Sequence, residues 1–412
     1  MITLPSASPR SQATCAHWII GLCLLLTIGQ GCTEETTVWD EYTQNGDQFL
    51  QQGKYPDAEK EYTAALKEAQ KKDSQDPRIA KSLHKLAVLH DAQGAYDKAE
   101  HFLTKIVEIY KREPQSHQLD LASTLSNLGA VYYAQEQYDK AQPLFQQAIE
   151  IREQELGKDH KDLVNDLKNL AGLYARQQHY EQAEPYLKRA LGIIEKVSGP
   201  DSTNLVPHLN NLALLYQAQK RLSEAETLLK QAIAINEESM GGDNPRLTGS
   251  LNNLALLYNE QKDYAQAETL LKRILSIYEK ALGPNSPQVA ASLSQLASLY
   301  HAQQQYDKAQ SLLERARKNL EKKLGNEDPR LARILNNLAL VYAIQNQGQK
   351  AEELFQHTIT MIEKTKGHDH PLLERTLRNY ASYLKQHNRA KEAKPLESRA
   401  NAIREKHRPQ KA

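Results

Sequence analysis

Apolar and polar positions along this chain follow a pattern that returns every 42 residues, eight times. A leucine leads it at Leu83, Leu125, Leu167, Leu209, Leu251, Leu293, Leu335 and Leu377, and a small residue follows at Ala87, Gly129, Ala171, Ala213, Ala255, Ala297, Ala339 and Ala381. A second small residue keeps the step at Ala99, Ala141, Ala183, Ala225, Ala267, Ala309, Ala351 and Ala393. Within one period, residues 246–287, Leu251, Leu254, Ala255 and Tyr258 sit at i, i+3, i+4 and i+7, the stripe of an amphipathic helix. After a short polar turn, Tyr264, Ala267, Leu271, Ile274 and Tyr278 mark a second helix. Ala255 and Ala267 are small where the two helices must approach. Leu282-Gly283-Pro284 ends the second helix, and Pro287 opens the next, where a missing N–H costs nothing. Proline recurs at that position as Pro77, Pro245, Pro329 and Pro371, with Lys161 and Thr203 replacing it in two repeats.

A period of this length is one helix–turn–helix unit that buries its apolar face only by stacking on its neighbours. The residues Leu209-Asn-Asn-Leu-Ala-Leu-Leu-Tyr216, Leu251-Asn-Asn-Leu-Ala-Leu-Leu-Tyr258 and Leu335-Asn-Asn-Leu-Ala-Leu-Val-Tyr342 resemble the tetratricopeptide repeat, in the long variety of the kinesin light chain family. The eight residues beyond the common 34 correspond to about one more turn on each helix. The resemblance covers about 82–406. It implies an all-α, right-handed superhelical solenoid.

The period sets the organisation. Seven 42-residue repeats are expected over 81–373, a C-terminal capping repeat over 374–406 and a tail over 407–412. Tyr55-Pro-Asp-Ala58 lies 41 residues before its counterpart at Tyr96, so 40–80 reads as a variant N-terminal repeat or cap. In the last repeat Tyr380 replaces a leucine and Ala390 a tyrosine. Its second helix is charged through Arg399, Arg404 and Lys406, as the end of a solenoid requires.

Ahead of the repeats, Arg10 precedes an apolar run from Trp18 to Gly29. As a helix it rises only ~18 Å, short of a bilayer core of about 30 Å, and reads as a signal peptide over 1–31. Ile28-Gly29-Gln30-Gly31-Cys32 resembles a bacterial lipobox, which implies acylation of Cys32 and a tether over 32–39. Cys15, Cys23 and Cys32 are the only cysteines, so the mature chain would keep Cys32 alone and form no internal disulfide. Gly29-Gln30-Gly31 also fits the small-x-small site of ordinary signal peptidase, and an uncleaved anchor is the remaining alternative. Thr33, where an Asp would retain such a protein at the inner membrane, implies an outer-membrane lipoprotein facing the periplasm. Ordinary cleavage would give a soluble periplasmic or secreted protein.

Charge narrows the partners. The 412 residues carry 52 basic and 51 acidic side chains, with no basic run interleaved with aromatics, so nucleic acid is not an expected partner. Opposite the buried stripe, Gly249, Asn253, Leu256 and Glu260 share a face, which by the resemblance lines the concave groove. The column through Asn253 reads Lys85, Asn127, Asn169, Asn211, Asn253, Gln295, Asn337, Asn379. Helix interiors do not favour asparagine, and its amide offers both donor and acceptor to the backbone of an extended peptide. The resemblance implies such a ladder too. Alternatively, each Asn bridges to the neighbouring repeat, and the two roles are compatible. Beside the ladder, Leu214 and Leu256 are candidates for an apolar pocket. The groove ends are basic, with Lys81 and Lys85 at one and Arg333, Arg375 and Arg378 at the other; Lys81, Lys85 and Asn127 could grip a C-terminal carboxylate.

Catalytic chemistry is not expected. His368-Asp369-His370 is the one dense ligand-like cluster, and its counterparts Asp243-Asn-Pro and Glu327-Asp-Pro read as helix-start capping, so no metal is expected. The chain shows no phosphate-cradling glycine loop and no nucleophile elbow, and neither a cofactor nor a small-molecule substrate is expected. The expected function is non-enzymatic: an envelope-anchored scaffold holding proteins or peptides. The alternative is a structural assembly factor that uses its outer ridges or end repeats.

Overall fold

A computed structural model describes residues 37–71, 76–112 and 116–407. The expected signal segment, Cys32 with most of its tether, and residues 408–412 of the tail lie outside them. The chain divides into two compact units, one ending at Gly199 and one beginning at Pro200.

The first unit pairs α1 (Val38–Gln51) with α2 (Tyr55–Gln70), α3 (Pro77–Ala92) with α4 (Tyr96–Arg112), α5 (Gln118–Ala134) with α6 (Tyr138–Leu156), and α7 (Leu163–Arg176) with α8 (Tyr180–Ser198). The second pairs α9 (Val206–Ala218) with α10 (Leu222–Met240), α11 (Thr248–Glu260) with α12 (Tyr264–Leu282), and α13 (Pro287–Ala302) with α14 (Tyr306–Leu324). It continues with α15 (Ala332–Ile344) and α16 (Gly348–Lys366), then α17 (Leu372–Gln386) and α18 (Ala390–Lys406). Within each unit the second helix of a pair packs on its own first helix and on the first helix of the next repeat. No strand occurs among the described residues. The fold is an all-α helical repeat solenoid. The period boundaries 81 and 374 mark phase rather than elements, since they fall inside α3 and α17. The variant repeat is a complete helix pair that starts at Val38, where Thr37 and Asp40 form a reciprocal capping box.

The periodic positions are the core. All eight leading leucines are buried, and the second small column, from Ala99 to Ala393, is completely shielded from solvent. Two repeats set a glycine against a ring in place of Ala against Leu. Gly46 faces Tyr62 and Gly129 faces Phe145, and a Cβ on either glycine would fall within 3.0 Å of the aromatic ring. Tyrosines then latch repeats together: Tyr132 donates to Glu100, Tyr258 to Glu226 and Tyr300 to Glu268, at 2.8–2.9 Å. Tyr342, whose counterpart Gln310 offers no carboxylate, reaches Glu314 one turn further on.

Turn chemistry explains the constant phase. Each first helix stops at a left-handed residue, Gly53 and Gly94 early on, then Glu136, Gln178, Lys220, Lys262, Gln304, Asn346 and Asn388. Second helices from α6 to α16 end on Gly157, Gly199, Gly241, Gly283, Gly325 and Gly367, with φ between 78° and 92°. Helix starts are capped by side chains, among them Asp76, Ser202, Asn244, Ser286 and Asp328. Pro287 opens α13 as expected, but Pro245 and Pro329 open short 3₁₀ turns, and the α-helices begin only at Thr248 and Ala332. These two caps bond to the amide two residues on, as Asp76 does ahead of α3.

Ion pairs tie several second helices to the second helix and loop of the preceding repeat. Arg189 meets Glu153 and the carbonyl of Lys158, Arg273 meets Glu237 and the carbonyl of Gly242, and Arg399 meets Glu363 and the carbonyl of His368. Lys196–Asp159, Lys280–Asp243, Lys364–Glu327 and Lys406–Asp369 run alongside, each at 2.7 Å. Such exposed pairs contribute about 0–1 kcal/mol each, so they fix register more than they stabilise.

Candidate peptide-binding face

The first helix of each repeat presents one face away from its partner, and the expected ladder lies there. In the first unit, Asn127 and Asn169 are half-buried and Lys81 is exposed. Asn127 Nδ2 lies 3.1 Å from His84 Nε2. Burial, helped by the Lys85 charge, pushes the His84 pKa down, so a neutral imidazole accepts from the amide. Lys85 does not stand open for a ligand carboxylate. Its ammonium contacts both oxygens of Asp47 at 2.7 Å, and Tyr62 donates to the same carboxylate at 2.6 Å. The proposed grip of Lys81, Lys85 and Asn127 therefore has one member engaged by α1 and another by His84.

In the second unit, Asn253 Nδ2 donates to Asn210 Oδ1 at 3.3 Å, Gln295 to Asn252 at 2.8 Å, and Asn379 to Asn336 at 3.1 Å. Each rung thus reaches the residue just before the rung of the preceding repeat. Asn337 is different: its Oδ1 accepts from Arg375 at 3.2 Å. Asn211 is half-buried, and no hydrogen bond is formed by its side chain among the described residues. Leu214 and Leu256 are 39% and 50% exposed, which leaves them available for contact.

Sequence reasoning found the rungs but missed their receptors, His84, Asn210, Asn252 and Asn336. The doubled asparagine of Leu-Asn-Asn-Leu was the available signal: one amide donates as a rung and its predecessor accepts from the next repeat. Lys168 of the first unit was also missed. It lies on this face, and burial pushes its pKa down. His84 and Lys168, and in the second unit Arg333 and Arg375, are reached by solvent yet ringed by protein, which lowers each pKa.

Asp369 of the histidine cluster is held by Lys406, and His370 Nδ1 accepts from the Leu372 amide at 3.2 Å. Among the described residues no three His, Cys, Asp or Glu side chains are placed to hold a metal ion.

Comparison with known proteins agrees with this architecture. The sequence profile of the tetratricopeptide repeat matches residues 42–112, 120–196, 163–238, 246–322 and 330–406, and a second profile of that repeat matches 294–360. The chain belongs to the tetratricopeptide-repeat family, whose members bind proteins or peptides. Similar solved structures include the apo form of RapI (15% identity, 90% of this chain and 99% of that one, TM-score 0.56). Another is aspartyl phosphate phosphatase F from Bacillus subtilis (16% identity, 91% and 96%, TM-score 0.51). The kinesin light chain-type TPR-like repeats of Podosopora anserina align at 28% identity over 50% of this chain and 98% of that one, with TM-score 0.44. No curated protein sequence matches the chain.

Proposed function

We propose that this protein is a non-enzymatic scaffold that holds an extended peptide or partner protein on the inner faces of its first helices. The carrying observation is the contrast between faces. Loops and second helices are laced with ion pairs, whereas the first helices offer half-buried amides flanked by exposed Leu214 and Leu256. Rungs already bonded to the preceding repeat spend their N–H donor there, and the oxygens of Asn253, Gln295 and Asn379 take no protein donor among the described residues. These oxygens would accept from peptide N–H groups, so bridging and binding coexist.

The lipobox-like Cys32 extends the proposal to anchorage in a bacterial envelope, through an N-terminal lipid in the outer membrane. Globomycin sensitivity and palmitate labelling of Cys32, lost in Cys32→Ala, test that part. Capture of partners from detergent-solubilised envelope tests the binding face. Asn211→Ala is the informative variant, because removing an unbonded side chain leaves the stack intact. Partners held by the wild type and lost from an equally helical Asn211→Ala protein support the groove; equal capture moves function to the outer ridges or end repeats.

A further inference from the structure

Away from the first-helix face, the loops that follow the second helices line up along one edge of the second unit. Lys280 reaches back to Asp243, Lys364 to Glu327 and Lys406 to Asp369, and Asn319 donates to the Pro284 carbonyl at 2.7 Å. Each contact joins the second helix of one repeat to the loop before it.

From Gly241 onward the carboxylates of these loops are all engaged. Lysines take Asp243, Glu327 and Asp369, and Arg330 takes Asp328 at 2.8 Å. At the helix ends beside them, Glu279 meets Arg315, Glu321 meets Arg317 and Glu363 meets Arg399. Cations remain over. Lys322 is the counterpart of Lys280, but Asn285 stands where its Asp would be. Lys322, Lys323 and Arg246 are exposed and have no carboxylate partner among the described residues. Exposed Lys366 makes no ion pair there either, and only adds its field to that of Arg330 on Asp328. One repeat earlier, Glu238 and Asp201 replace the Lys–Asp pair, so the positive surplus is confined to the loops from Gly241 on.

Apolar tips lie among these cations. In the second unit the exposed large apolar side chains are Leu214 and Leu256 on the first-helix face and Leu282 and Leu372 on this edge. Leu282 ends α12 and is 47% exposed, and Leu372 opens α17 at 46%. Half-buried Met240 and Leu324 hold the position of Leu282 in the repeats on either side.

We propose that this loop edge is a peripheral docking surface for an anionic phospholipid bilayer. Arg246, Lys322, Lys323 and Lys366 sit over lipid phosphates, and Leu282 and Leu372 dip into the headgroup boundary. Charge complementarity favours this occupant. The surplus cations are spread over successive loops with apolar tips between them, which suits a mobile array of phosphates better than one fixed ligand. Each basic side chain near such a surface adds to the attraction, and shallow apolar contact adds to it independently. The surface is separate from the peptide-binding face and does not depend on acylation of Cys32.

The test is fluorescence quenching by vesicles with brominated acyl chains, which reach only a tryptophan at the bilayer. The full chain carries Leu282→Trp or, as control, Gln266→Trp near the other end of α12, about 24 Å away along the helix. Signals are taken relative to the parent chain, since Trp18 and Trp39 are common to all. The expected result is quenching of the Leu282→Trp protein by phosphatidylglycerol vesicles and not by phosphatidylcholine alone, with Gln266→Trp unaffected. Adding Lys322→Gln/Lys323→Gln/Lys366→Gln to an equally helical Leu282→Trp protein should remove most of the quenching, as should 1 M salt. Equal quenching in zwitterionic vesicles, or quenching that survives the triple substitution, overturns the charge-matched surface. Equal quenching of both tryptophan variants means that the chain meets the bilayer by no preferred edge, and no quenching means that this edge does not meet it; either overturns the proposal.

Discussion

Gly129 lies so close to Phe145 that a Cβ on the glycine would sit 2.8 Å from the ring. Everywhere else in the 42-residue series an alanine fills that small position, and the position paired with it is a leucine except for Phe355 with Ala339 and Glu397 with Ala381. Gly129→Ala should therefore cost about 1–3 kcal/mol, as overpacking does. Phe145→Leu made in addition should recover most of the loss, because it rebuilds the Ala–Leu pair of the other repeats. Urea denaturation of both proteins checks this, and additive losses would refute the pairing.

The Asn253–Asn210 bond predicts coupling between repeats. A double-mutant cycle with Asn210→Ala and Asn253→Ala should give an interaction energy of about 0.5–1.5 kcal/mol. A value near zero would mean that the amides do not hold the stack in register. Asn211→Ala, by contrast, should leave the denaturation midpoint nearly unchanged.

Gln304 holds φ at 61° in the turn between α13 and α14, where the early repeats use Gly53 and Gly94. A non-glycine residue there carries a steric cost of roughly 1–2 kcal/mol, partly offset by the entropy glycine loses on folding. Gln304→Gly should raise stability by about 0.5–1 kcal/mol, read as an upward shift in melting temperature. Gln304 is exposed, so its side chain has little packing to lose.

Asp328 caps the turn at Pro329, and the Arg330 side chain, then its backbone N–H, hold the carboxyl pKa down at about 2 against the ordinary 3.8. The folded value lies below the unfolded one, so this stabilisation is complete above pH 3.8 and is lost as the pH falls through about 2. Asp328→Asn keeps a capping oxygen and removes the titration. The acid limb of its stability profile between pH 4 and 2 should be flatter than that of the wild type, and an unchanged slope would contradict the pairing.

Legibility divided along physical lines. The leucine and alanine columns named the buried stripe correctly, because helical period and burial are both local consequences of spacing. Pro245 and Pro329 were read as α-helix starts and proved to open 3₁₀ turns, a difference the caps alone do not make, since Asp76 bonds the amide two residues on and α3 still starts at Pro77. Lys85 looked like a ligand-binding cation because nothing in the linear pattern places Asp47, 38 residues earlier in the variant repeat, against it.

By itself the sequence determined the repeat. Its period, its two amphipathic stripes, the small residues at the helix crossing and the glycines at the helix ends all act within a few residues of themselves. Tertiary structure alone decided which polar side chains were already spent. Rung amides give their N–H to the preceding repeat, Lys85 goes to Asp47, and Asn337 turns its oxygen to Arg375. Those bonds join residues 38 to 43 apart in the chain, where only stacking brings one repeat's surface against the next.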